Sequence, residues 1–150
     1  MILAAVRDDA YNIVLLLHIL AVIVGFAPAA VHPFIDAQLQ ETPDARMAFL
    51  RRAAANGHRI YLPAITIAGL LGIVLIIMSD DVIEFSDTWV SGSFVVWIAI
   101  MGIVAGMIIP GEKAAGQGDF SKERTVQIGG QISTLLLIVM LYLMIFKPGA

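Results

Sequence analysis

The chain has 150 residues, 59% of them hydrophobic and only 14% charged, with a formal net charge of −3 and no cysteine. That length suits one compact module with no room for a second, soluble domain, and the scarcity of charge excludes an ordinary water-facing surface and argues against nucleic-acid binding. Without cysteine there are no disulfides, thiolate metal sites, thiol catalysis or haem attachment through CxxCH, so a bound metal or haem must use His, Met, carboxylate or backbone.

In chain order, the opening segment MILAAVRDDAYN places Arg7 between apolar residues and two aspartates. The apolar run behind it is longer than a signal-peptide core, although APAA at Ala27 to Ala30 resembles a cleavage site. Four stretches then lack Asp, Glu, Lys and Arg altogether: 10–35, 60–79, 88–111 and 125–146. Each is long enough for a helix to cross the roughly 30 Å hydrocarbon layer at about 1.5 Å per residue. The expected fold is an all-α membrane protein, a four-transmembrane-helix bundle forming a single transmembrane domain over residues 1–150.

Span 1 carries Pro28 and ends at Pro33, and Pro28 is expected to kink or open the helix near Val24. Thr42-Pro43-Asp44 reads as a helix start, with Thr capping, Pro at the first helical position and Asp at the positive end. That helix should run to about Ala55, stop at Asn56-Gly57, and lie as a short cytoplasmic interfacial helix, or serve as a helical linker without lipid contact. The connection SDDVIEFSD between spans 2 and 3 is purely acidic, and PGEKAAGQGDFSKER between spans 3 and 4 reads as a flexible polar loop. Small residues recur four apart at Ala21, Gly25 and Ala29, at Ala64, Ala68 and Gly72, and in the GxxxG of Gly102 and Gly106. All three stripes are expected to serve close packing within one bundle, the alternative for them being a dimer face.

Seven of the nine basic residues, Arg46, Arg51, Arg52, Arg59, Lys113, Lys122 and Arg124, fall in the two connections that follow spans 1 and 3. By the positive-inside rule these connections are cytoplasmic, and both termini lie outside the cell membrane.

Within the spans, His18 is the readily titrating side chain that lies well away from the ends, and such a group in hydrocarbon is a functional candidate. It sits about 10 Å down the helix from the outer end of span 1. The same depth on the other spans reaches Gly72, Val96 with Trp97, and Met140. A His with a Met suits a haem axial pair or a soft copper site. The plainer reading of His18 is a buried histidine bonded to a carbonyl or hydroxyl of a neighbouring helix. His32 and His58 share the cytoplasmic end and form at most a weak two-His metal site, with no third ligand at characteristic spacing. Met78 and Met144 fall towards the outer face with Met140, where methionine usually fills gaps. The chain has no phosphate-binding glycine loop, no HExxH, no Ser, His and acid set at one depth, and no carboxylate or Lys inside a span.

HILAVIVGFAPAAVHPFI resembles the first span of the HemJ-type protoporphyrinogen oxidases, with His18 and Pro33 in the places of that family's histidine and proline. Pro63-Ala64 with Gly72 resembles its second span, and STLLLIVMLYLMIFKP, with Lys147-Pro148, is similar to its fourth. The pattern departs where the family has a lysine after a tryptophan, since Trp89 is followed here by Val90-Ser91-Gly92-Ser93 with Ser93 in the lysine's place, and where its Arg and Asn-Glu become Gln127 and Gly130-Gln131. The chain looks closer to the related uncharacterised predicted integral membrane proteins and, more distantly, to the CopD-like copper-resistance membrane domain. What the resemblance implies is the four-helix fold and, at His18, a haem b ligand, rather than porphyrinogen oxidation.

The expected function is therefore that of a non-catalytic or electron-transfer membrane protein binding haem b through His18, with Met140 as second ligand. Its rivals are an accessory or structural subunit packed against other membrane proteins or further copies of itself, and a copper-handling protein with His18 as metal ligand.

Overall fold

A computed structural model describes residues 9–149, and residues 1–8, Arg7 among them, lie outside the described residues. Among the described residues the fold is all-helical, with four helices long and apolar enough to cross a membrane: α1 (Asp9–Gln38), α2 (Pro43–Ile77), α3 (Thr88–Ala115) and α4 (Glu123–Phe146). The bounds of α1, α3 and α4 lie close to three of the uncharged stretches, because an apolar helix continues until the chain can again solvate its backbone ends, whereas α2 begins well ahead of its stretch, 60–79. α1 packs chiefly along the Leu62–Ile77 half of α2, and α3 along α4.

The α1–α2 face is built on the two small-residue stripes. A Cβ added at Gly25 would lie 2.7 Å from Ile65 Cγ1 and 3.1 Å from its backbone N, so the two backbones approach as closely as glycine permits. Ala64 and Ala68 are buried in the same face. α3 and α4 meet similarly, with Gly129 facing Ile103 and Ile108 at 3.3 Å each and Gly111 facing Val126.

Several features depart from the sequence reading. Gly102 and Gly106 meet no atom within 4 Å, so this GxxxG faces away from the bundle instead of closing it. The helix beginning at Pro43 does not stop at Asn56-Gly57. Gly57 keeps right-handed helical dihedrals (φ −51, ψ −51), and the chain passes through a π-helical turn, Gly57–Tyr61, straight into Leu62–Ile77. Gly57 admits Ile109 of α3, 2.7 Å from where a Cβ would stand, so its glycine is required by packing rather than by a turn. Leu50, Ala53 and Ala54 are buried and this segment packs on Ile109–Ala115, so one face of it is covered by protein. α3 likewise runs on through a π-helical turn, Val104–Ile108, and carries Pro110 and Glu112 into what reads in sequence as loop.

Thr42 is indeed the residue before α2, but its hydroxyl bonds back to Leu39 O (3.2 Å), and its carbonyl accepts from Arg46 N (2.9 Å). Both Pro28 and Pro33 lie inside α1, which continues past them to Gln38.

Candidate functional site

His18 is buried at 8% exposure, in the apolar middle of α1. Its Nδ1 lies 2.8 Å from the carbonyl oxygen of Ala68 on α2. A carbonyl can only accept, so Nδ1 carries the hydrogen, and in the neutral imidazole the lone pair is then on Nε2. Gly72, one turn beyond Ala68, lies opposite the ring, with a Cβ there 3.6 Å from Cε1. The depth match between His18 and Gly72 is thus a real juxtaposition, made by the α1–α2 stripes that bring the backbones together. No hydrogen bond engages Nε2 among the described residues. A histidine with one nitrogen fixed by a backbone carbonyl and the other open is the arrangement by which proteins orient an imidazole towards a metal.

Trp97, at the same counted depth, reaches α2 from α3. Its indole Nε1–H donates to Ile65 O (2.9 Å) and the ring packs on Gly69. Helix α2 is thereby held from both sides, its carbonyls at Ile65 and Ala68 each taking a second donor. Met140 is buried on α4 at 8% exposure, and no hydrogen bond joins it to His18.

At the end of the bundle bearing the two basic connections, the geometry is one that sequence reasoning missed. Glu112 of α3 is buried at 7% exposure and faces His32 of α1, Nδ1 to Oε1 3.4 Å. His32 is wedged edge-on against Phe49 and Tyr61, ring centroids 5.2 and 5.8 Å away. His58 is exposed on α2, among the described residues no three His, Cys, Asp or Glu gather as a metal site, and the ionisable neighbour of His32 is Glu112. Next to this pair, a cavity of about 540 Å³ lies between α1, α2, α3 and α4, bordered by Gly25 and Ile65 at its depth and by Gln127, Gln131, Ser133 and Thr134 on α4.

Arg46 closes the same end. Its guanidinium forms a two-pronged pair with Asp36, Nε to Oδ1 2.7 Å and Nη2 to Oδ2 2.9 Å, also bonds Glu123 of α4, and lies 4.9 Å from the centre of the Phe120 ring. One side chain thus ties the end of α1 and the start of α4 to α2. In the connection between α3 and α4, hydrogen bonds from Ser121 hold the Asp119 carboxyl below the usual carboxylate range. Comparison of the chain with models of known families, with curated proteins and with solved structures finds no match.

Proposed function

We propose that this chain is a multi-pass membrane protein that binds haem b through His18 and serves electron transfer without catalysing a reaction of its own. The observation that carries the reading is the Nδ1–H bond to Ala68 O, which orients the imidazole and leaves the Nε2 lone pair unengaged. That bond alone would equally satisfy a histidine with a packing role; the unengaged Nε2 supports ligation. Met140, buried on α4, is the proposed second ligand. Bound there, haem would supply one-electron exchange. His18, oriented by Ala68, would hold the group, and the apolar helices would exclude water.

The reading implies that His18→Ala abolishes pigment in purified membranes while the chain still inserts, since apolar length drives insertion. Met140→Leu is expected to keep the pigment through His18 but to shift its spectrum and lower its reduction potential, because thioether ligation raises that potential. Pigment unaffected by His18→Ala would overturn the assignment.

A second reading, that of an accessory subunit, is favoured by one observation. Gly102 and Gly106 form a small-residue face that nothing in the described chain covers, and such faces pack against other membrane helices. If that reading holds, the chain leaves mild detergent in a larger assembly that Gly106→Leu dissociates.

A further inference from the structure

The cavity at the basic end is independent of His18 and carries its own inference. Its volume, about 540 Å³, falls within the roughly 300–1,000 Å³ of small-molecule sites. Most of its wall is apolar, from Phe26 and Ile65 to Ile100 and Val104, and the polar groups are few. Leu135 and Ile138 of α4, which border it, are 61% and 59% exposed, so the space opens sideways along that helix, onto the surface that lipid would cover.

Ser133 is the most telling of the polar groups. It is 4% exposed, lines the cavity, and its hydroxyl has no hydrogen-bond partner. Thr66, Ser91, Ser93 and Thr134 each bond the carbonyl four residues back, Ser93 to Trp89 O (2.7 Å) and Thr134 to Gly130 O (2.9 Å) among them. A buried hydroxyl that forgoes such a bond beside a cavity is available to a ligand. On the facing wall stand His32 and Glu112. The charges at the wall then restrict the ligand: Arg46 is shared between Asp36 and Glu123, and the remaining ionisable pair facing the space, His32 and Glu112, contains a further carboxylate. An anionic head group would meet Glu112 with no Lys or Arg on the wall, and a cationic one would have to part His32 from that carboxylate and shed its water inside a largely apolar wall.

We propose that this cavity binds an uncharged, largely apolar molecule with a hydroxyl or carbonyl at one end, taken up sideways from the bilayer, its head held by Ser133, His32 and Glu112. The test uses the full chain in lipid nanodiscs and a photoactivatable twelve-carbon alcohol, with the matching carboxylate and ammonium compounds as charged counterparts. Crosslinked sites are mapped by mass spectrometry. The alcohol is expected to label the cavity-lining segments of α1 and α4, and an excess of the unlabelled alcohol, but not of either charged compound, to compete.

Two substitutions localise the effect. Gly130 lines the cavity and a Cβ added there meets no atom within 4 Å, so Gly130→Leu has room to enter the space and should reduce labelling about tenfold. Ser133→Ala keeps the packing and removes one head-group bond, for a loss of about fivefold in affinity. Undiminished labelling in Ser133→Ala, or in Gly130→Leu with an intact helical spectrum, would overturn the proposal. So would equal competition by a charged compound, or a cavity closed to the alcohol because a second copy of the chain crosslinks into it.

Discussion

Replacing Gly25 by Ala adds one methyl group where the structure leaves no room. The new Cβ would stand 2.7 Å from Ile65 Cγ1 and 3.1 Å from Ile65 N. The side-chain carbon has some freedom to turn, but the backbone nitrogen is fixed in the α2 helix, so α1 and α2 must separate by a few tenths of an ångström along their whole contact. Overpacking of this kind costs about 1–3 kcal/mol, while Ala in place of Gly gains about 1 kcal/mol of helix propensity, leaving a net loss of about 1 kcal/mol. Gly102→Ala makes the same chemical change on a face where nothing lies within 4 Å, so it keeps the propensity gain of about 1 kcal/mol without the clash. The two variants should therefore differ by about 2 kcal/mol, roughly thirtyfold in the folded-to-unfolded ratio. Equilibrium unfolding in mixed micelles, followed by circular dichroism as denaturing detergent is added, measures that gap. If Gly102→Ala proved as damaging as Gly25→Ala, the packing faces assigned to α1 and α3 would be wrong.

Arg46→Lys replaces a two-pronged guanidinium contact and its link to Glu123 by a single ammonium, and is expected to cost about 2 kcal/mol in the same assay; a neutral effect would show that the clamp at this end contributes nothing. Trp97→Phe removes the bond to Ile65 O while keeping most of the ring on Gly69, for a loss of about 1 kcal/mol, and an unchanged unfolding midpoint would speak against it. From the seven-to-two distribution of basic residues, a reporter fused after Ala150 should be active only outside the cytoplasm, and cytoplasmic activity there would reverse the orientation.

The spans were legible because a charge-free apolar run of more than about twenty residues matches the thickness of hydrocarbon and exceeds what a water-soluble helix tolerates on its exposed face. The α1–α2 stripes were legible because glycine and alanine four apart have a direct steric meaning. Which way a stripe faces is a different matter. Gly102 and Gly106 have the same spacing as Gly25 and Ala29, yet open outward, since spacing defines a helix face and not its neighbour. Gly57 looks like a helix stop after Asn56, but serves as the seat of Ile109, a residue 52 positions away that no local pattern reveals. Glu112 reads as a loop charge because Pro110 and Gly111 precede it. Only the π-helical continuation of α3 through Pro110 turns it inward to His32. The juxtaposition of His18 with Gly72 followed from equal depth, whereas the cavity depends on how four helices diverge, which depth counting cannot supply.

By the proposed reading His18, fixed through Nδ1 by Ala68, presents Nε2 to haem iron. The most direct measurement is the absorption spectrum of the chain purified in mild detergent from cells supplied with haem precursors. A Soret band at stoichiometric intensity is expected, and a colourless, folded protein would contradict it and leave His18 as a hydrogen-bonded packing residue.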